Sequence, residues 1–236
     1  MTIASEPDPV TGQPIGPLVG VTPAHLPGPI VLEGRFGRIE KLDARHATAL
    51  WEAVTGDVTL WTYMGYGPFA NFAAFEAWVA ERTKLADPFS YAVIANGRAV
   101  GIVTLMEIRP AMRVIEVGNI VYGTPLQRTP LATEVQYLLA RYVFETLGCR
   151  RYEWKCNALN APSRRAAARF GFTYEGLFRQ HLIVKGRSRD TAWFSMLDSE
   201  WPARKAAFER WLAPENFDGE GRQRGSLSAL NQPAGT

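Results

Sequence analysis

The stretch IVYGTPLQRTPLATEVQYLLARYVFETLG, Ile120 to Gly148, decides how the rest of the chain is read. Ile120 and Val121 end an apolar strand run that begins at Val114. Leu131, Val135, Leu138 and Tyr142 then fall at helical spacing, and Leu139, Val143 and Leu147 widen the buried face until Gly148 stops the helix. Between strand and helix lie Gln127, Arg128, Thr129, Pro130, Leu131, Ala132 and Thr133. Such a loop sets a run of backbone N–H groups at a helix start. The first amides of a helix lack intrahelical partners and the helix dipole is positive there, so the turn is a ready anion site.

Upstream of this centre, residues 1–28 are rich in Pro and Gly with no sustained period and read as an extended or disordered arm. Its length leaves room for packing on a neighbour, including a second copy of the chain in a homodimer. VLEGRFGRIEKL alternates well enough for a strand or hairpin, and Asp43 caps a helix through Leu50, Trp51 and Val54. An aromatic segment follows from Trp61 to Phe75, and Asn71 caps a second helix running to about Leu85. Ser90–Ala95 and Ala99–Ile108 flank Asn96-Gly97 as a hairpin, with Val114–Tyr122 as the next strand.

Downstream, Tyr152, Trp154 and Cys156 alternate on one face of a strand, and Asn160-Ala161-Pro162-Ser163 opens a helix that Gly171 closes. A last hairpin turns at Lys185-Gly186, and Trp201, Phe208 and Leu212 mark one further helix. Residues 214–236 are polar and Gly-rich and read as a flexible tail, which leaves 29–213 as one domain.

A chain of 236 residues, 47% hydrophobic and 21% charged, is long enough for one sizeable core. The formal charge of +3 is too small to argue for nucleic acid or an anionic membrane as partner. Cys149 and Cys156 stand without metal-ligand spacing, which fits a reduced, cytoplasmic protein with no bound metal. No apolar run approaches membrane length. A doubly wound nucleotide fold wants Gly-x-Gly-x-x-Gly near the N-terminus, and neither that nor a phosphate loop ending Gly-Lys-Ser/Thr is present.

The spacing Gln127-x-x-Pro130-x-Ala132 resembles the Gln/Arg-x-x-Gly-x-Gly/Ala pyrophosphate loop of the Gcn5-related N-acetyltransferase (GNAT) superfamily, with proline in place of the first glycine. That substitution removes one N–H donor but suits a helix's first turn. Asn160-x-x-Ser163 followed by Phe170-Gly171-Phe172 and Glu175-Gly176 is similar to the same superfamily, as are Arg179, His181, Lys185-Gly186-Arg187 and Asp190 to its branch of ribosomal-protein N-terminal acetyltransferases. The resemblance implies an α/β (α+β) fold, a mixed sheet of six to seven strands flanked by helices and splayed between its fourth and fifth strands. It implies acetyl-CoA as co-substrate and a small-molecule or peptide primary amine as acceptor.

By that resemblance Gln127–Thr133 bind the pyrophosphate, Ile120 and Val121 offer backbone groups to the thioester and pantetheine arm, and Asn160 and Ser163 contact the arm or the leaving thiol. Both also suit plain helix caps, and Arg128 and Arg164 also suit a solvated face. Glu116, eleven residues before Gln127, matches the glutamate of the histone-acetylating branch and is the leading base, provided burial raises its pKa. An outward strand residue, or one paired with Arg113, is the competing reading. The donor tyrosine of many members is replaced by Ala167, so Ser163, Tyr122 or water must serve as acid, with His181 and Glu175 as second choices for moving protons. The two substitutions, Pro130 and Ala167, keep open an alternative: a GNAT-shaped sensor or scaffold that holds acyl-CoA without turnover.

Overall fold

The structure, a computed structural model, describes residues 4–232. Its main sheet runs in the order β3-β4-β5-β6-β7-β8-β10-β9, where β3 is Val31–Glu33, β4 Arg38–Lys41, β5 Phe89–Ala95, β6 Arg98–Arg109 and β7 Val114–Tyr122. β8 spans Arg151–Asn157, β9 Thr173–Val184 and β10 Arg187–Leu197. Neighbours are antiparallel except β7 on β8. Eight strands rather than six or seven result because VLEGRFGRIEKL folds into both β3 and β4. The Glu134 carboxylate fixes the turn between them by accepting from the Arg35 and Phe36 amides at 2.6 and 2.8 Å.

Alternation along the central strands sends side chains into two cores. Ala92, Ile94, Ala99 and Ile102 pack under α1 (Ala47–Val54) and α2 (Phe72–Lys84) with Leu50, Trp61, Phe75 and Val79. Tyr91, Val93, Val103, Val117, Tyr152, Trp154 and Phe194 pack on the other side with α3 (Pro130–Arg141), α4 (Ala161–Arg169) and α5 (Trp201–Leu212). Asn71 caps α2 as the sequence implies, its Oδ1 accepting from the Ala74 amide at 3.0 Å. α3 continues through a wider π-helical turn, Tyr142–Thr146, and the chain then leaves through Gly148 at φ +71°.

The two ends of the chain differ. Residues 24–28 are tied to the domain by Ala24 N–H on the Pro110 carbonyl (3.0 Å), His25 N–H on that of Leu147 (2.8 Å) and Gly28 N–H on the Tyr142 hydroxyl (3.1 Å). Before them, β1 (Glu6–Pro7) and β2 (Pro14–Ile15) pair with each other, and Val10, Leu18 and Val21 stay exposed. After α5 the chain folds back through α6 (Leu227–Leu230), where a frayed tail is expected from composition. Leu227 is fully buried, and Asn231 Nδ2 donates to the Arg169 carbonyl at 2.9 Å. One apolar side chain in the core and a paired amide outweigh the polar composition around them.

Candidate active site

Strand β7 is in register with β8 for four pairs, Val114↔Arg151 to Val117↔Trp154, and then the two part. From Gly118 to Tyr122 the β8-facing backbone of β7 is left without a strand partner, at the end of the sheet where α3 and α4 begin. Unpaired strand groups at such a parting can take an amide-bearing ligand as a short added strand. A bulge on the other edge of β7 reinforces the opening: Asn119 has φ +48° and is held by its Nδ2 on Thr104 Oγ1 at 3.2 Å and by the Tyr66 hydroxyl on its Oδ1 at 3.3 Å.

The turn ahead of α3 is partly used up by the chain itself. Gln127 N–H is bonded to the Gly123 carbonyl and Thr129 N–H to that of Leu126, while Gln127 Nε2 folds back onto the Tyr122 carbonyl at 3.0 Å. Thr129 caps the helix, its Oγ1 accepting from Ala132 N–H at 3.3 Å. The amides of Arg128 and Leu131, ahead of the first intrahelical bond, have no hydrogen-bond acceptor among the described residues. Arg128, at φ +61°, turns the loop into a concave run of N–H groups of the sort that binds anions. Leu131 and Thr133 side chains are buried, and Thr133 Oγ1 accepts from Arg169 at 2.9 Å, so these two residues have only backbone to offer a ligand.

At the start of α4, Asn160 Oδ1 caps the helix by accepting from Ser163 N–H at 3.1 Å, which leaves its Nδ2 without an acceptor among the described residues. Ser163 Oγ accepts from Trp154 Nε1 at 3.0 Å. The Ser163 hydroxyl also faces the Cys156 thiol, a weak acceptor that a leaving thiolate would outcompete for its proton. The indole that orients Ser163 is an inward residue of β8, and its alternation with Tyr152 marks it in sequence only as core.

Glu116 is 5% exposed on β7, beside Glu153 of β8 and one residue before the parting. Its Oε2 meets Lys155 Nζ at 2.8 Å, and Lys155 lies 4.1 Å from the centre of the Trp193 ring. Burial pushes the carboxyl up, against the opposing pull of Lys155, to about 7. Arg113, the partner weighed from the sequence, instead donates Nε to the Gly148 carbonyl at 3.0 Å. Lys155 is a residue that sequence reasoning missed, since a lysine on a strand carries no signal until its register beside Glu116 is known.

The other proton-handling candidates are held elsewhere. Glu175 takes two bonds from Arg151 and one from Ser195 Oγ at 2.8 Å, and the Arg151 guanidinium holds its carboxyl below the usual carboxylate range. His181 Nδ1 lies 3.0 Å from Thr191 Oγ1, packed with Phe178 and Trp193. The Tyr122 hydroxyl accepts from Gln136 Nε2 at 2.7 Å on the α3 side, and burial raises its pKa against the lowering effect of that bond. Arg164 reaches the Ala158 carbonyl at 3.4 Å. Among the described residues no cluster of His, Cys, Asp or Glu could hold a metal ion, and no helix is long and apolar enough to cross a membrane.

Comparison with known proteins supplies the context for this geometry. Residues 38–173, more than half of the chain, match the family model of the acetyltransferase (GNAT) domain. A crystal structure of a GCN5-related N-acetyltransferase from Brucella melitensis is 49% identical, with a TM-score of 0.87 over 89% of this chain and 97% of that one. A probable acetyltransferase of the GNAT family from Chromobacterium violaceum is 40% identical, with a TM-score of 0.76 over 81% of this chain and 98% of that one. Among curated proteins, the putative ribosomal N-acetyltransferase YdaF of Bacillus subtilis is 27% identical over 48% of this chain, and the match spans 61% of that relative's length.

Proposed function

The chain belongs to the GNAT acetyltransferase family, and from that premise we propose that it transfers the acetyl group of acetyl-CoA to a primary amine, a peptide N-terminus or a small amine, by direct attack on the thioester. The observation that carries the proposal is the parting of β7 from β8 after Val117 and Trp154, with a concave run of free amides at α3 and a capped α4 at the same end. Acetyl-CoA fits these features by its chemistry: phosphates for the turn Gln127–Thr133 with its free Arg128 and Leu131 amides, and an amide-bearing arm for the unpaired edge of β7. When bound it supplies an activated acyl group on a thiol leaving group.

Each residue then has a definite task. Glu116 accepts a proton from the acceptor amine, directly or through water, for which a carboxyl titrating at about 7 is well placed. Lys155 holds that carboxylate in position at 2.8 Å. The backbone N–H of Ile120, on the open edge, polarises the acetyl carbonyl, while that of Val121 faces β6. Ser163, oriented by Trp154, gives its hydroxyl proton to the departing sulfur and regains one from solvent. Holding amine and thioester in one cleft contributes independently of any side chain, because it makes the encounter effectively intramolecular.

The amine acceptor is drawn toward a peptide N-terminus by the Bacillus subtilis relative, a putative ribosomal N-acetyltransferase. Release of free CoA in the presence of pooled peptides and small amines tests the activity. Tight acetyl-CoA binding with no thiol release across the whole panel would instead favour a non-catalytic acyl-CoA-binding role.

A further inference from the structure

The face of the sheet that carries Glu116 is a field of charges, nearly all matched. Glu116 pairs with Lys155 (2.8 Å); Glu153 pairs with Arg109 (2.5 Å), Arg151 (2.8 Å) and Lys155 (3.1 Å); Glu175 pairs with Arg151 (2.5 Å). One cation remains. Arg189 on β10 has a buried Nε with no hydrogen-bond partner among the described residues, and it forms no ion pair there. Four residues along the same strand, and so on the same face by the period of two, Trp193 carries a second buried N–H without a partner.

The register locates Arg189. Thr191 is opposite Asn157, the last residue of β8, so Arg189 lies just beyond the end of that strand, where the Ala158 amide is bonded to the Asp190 carbonyl. This is the end at which β7 and β8 have parted. Two contacts bridge the cleft there: Lys185 Nζ, at the tip of the β9–β10 hairpin, donates to the Trp61 carbonyl at 2.9 Å, and the Tyr63 hydroxyl donates to that of Leu159 at 3.1 Å. Arg189 thus lies on the hairpin strand four residues from the Lys185 contact with the aromatic segment. Burial works against its charge, while Cys156 and Glu116 support it.

A buried N–H without an acceptor is costly, and the Arg189 guanidinium is half-buried with its Nε in that state. We propose that Arg189 is a specificity-determining residue whose missing partner arrives with the acceptor: the amine acetylated here carries a carboxylate close to the reacting nitrogen. This rests on the acetyl-transfer reading above. Such a carboxylate is either the α-carboxylate of a free amino acid or the side chain of an acidic second residue in a peptide. Both present the same oxygens to Arg189, and the distance from the amine separates them.

Four acceptors test the assignment by thiol release: free alanine against alaninamide, and Ala-Asp-Ala amide against Ala-Asn-Ala amide. In one pair the carboxylate member should show a kcat/KM roughly 10–100-fold higher, the range expected for a charge-assisted hydrogen bond. That pair identifies the source. In Arg189→Gln the preference should collapse to within about twofold through a rise in KM, with acetyl-CoA affinity by calorimetry unchanged; Arg189→Lys should keep part of it. Equal rates on both members of both pairs in the wild-type protein, or no turnover of any of the four while acetyl-CoA still binds, overturns the acceptor assignment and leaves the cofactor site standing. Loss of acetyl-CoA affinity in Arg189→Gln at normal thermal stability overturns it in favour of a cofactor contact. Failure of the wild-type protein to bind acetyl-CoA overturns the transfer reading itself, and this inference with it.

Discussion

Glu40 on β4 and Glu116 on β7 are buried to nearly the same degree, at 7% and 5% exposure, yet the sheet treats them in opposite ways. Burial raises the pKa of both. Around Glu40, hydrogen bonds from Arg38 (2.7 Å), Arg45 (2.6 Å) and His46 (3.0 Å) outweigh it and bring the carboxyl down to about 2. Around Glu116 the single ammonium of Lys155 is shared with Glu153, and the carboxyl rises to about 7. Glu40 lies where β4 is continuously paired with β5, whereas Glu116 lies one residue before the β7–β8 ladder ends. A carboxylate enclosed by donors is a fixed anion, and one left short of them can exchange a proton near neutral pH.

The two carboxyls have opposite effects on stability as pH changes. The folded pKa of Glu40 is depressed, so its contribution is complete above about 4.5 and is lost as pH falls through about 2. For Glu116 the folded pKa is raised: the native state keeps a proton that the unfolded chain has released, and stability falls as pH rises from about 4.5 through about 7.

The largest expected effect is on catalysis at Glu116. Glutamine matches the shape but accepts no proton, so Glu116→Gln should fold, bind acetyl-CoA and lose roughly 10²–10⁴-fold in turnover at neutral pH. Raising the pH should restore part of that rate, because the amine is then deprotonated in solution. The same variant should gain stability relative to wild type as pH rises through about 7, read from urea midpoints. Parallel pH–rate profiles for the two proteins, differing by less than about twofold, would end the contrast between the carboxyls and send the search for a base to His181 or an ordered water.

Next in size is the anion site at the same end of the sheet. Replacing Thr129 and Ala132 together by aspartate keeps a capping side chain at the helix start but brings negative charge beside the free amides of Arg128 and Leu131. Acetyl-CoA affinity by calorimetry should fall by roughly tenfold or more. Unchanged affinity would remove this turn from the site.

Much of this arrangement was legible in the chain because it depends on local rules. Asn71, Gly148 and the Asn96-Gly97 turn act within a few residues of themselves, and Val114–Tyr122 has the bounds read from its apolar run. The Gln127–Thr133 turn was visible as a helix start, but the amides that the chain itself consumes were not, since they depend on how Gly123 and Leu126 turn back. Lys155 beside Glu116, Trp154 on Ser163 and the unmatched Arg189 depend on register between strands distant in sequence, and no spacing within one strand encodes that. The packed end of the chain escaped notice for a similar reason: a single Leu227 in a polar stretch gives no period.

Glu40→Gln sharpens the contrast from the structural side. It leaves His46 buried and two arginines without their anion, but Arg38 and Arg45 are 36% and 70% exposed and can turn to water. The cost should therefore be about 1–2 kcal/mol at pH 7, less than for a fully enclosed pair. It should shrink as pH is lowered from about 4.5 toward 2, where wild-type Glu40 is protonated as well. The pH–rate profile should keep its shape, since nothing in the Glu40 cluster faces the parted strands. A shifted profile would mean that the two ends of the sheet are electrostatically coupled.

The smallest effect concerns Asn160, which has two roles in one amide. Its Oδ1 caps α4 through the Ser163 amide, and its Nδ2 is the donor proposed here for the pantetheine arm. Asn160→Asp separates the two, because aspartate caps a helix as well as asparagine does but has no N–H to give. Thermal stability should stay within about 0.5 kcal/mol of wild type, since only the identity of the capping oxygen changes. Acetyl-CoA affinity should fall about three- to tenfold, the range for one hydrogen bond of ordinary strength. Asn160→Ala should lose the same affinity and, in addition, about 1 kcal/mol of stability from the missing cap. The double readout matters because a loss of affinity alone could follow from a frayed helix that misplaces Ser163. If Asn160→Asp keeps both normal stability and normal affinity, Asn160 is a cap and nothing more, and the arm is held at the parted seam by the backbone of β7 alone.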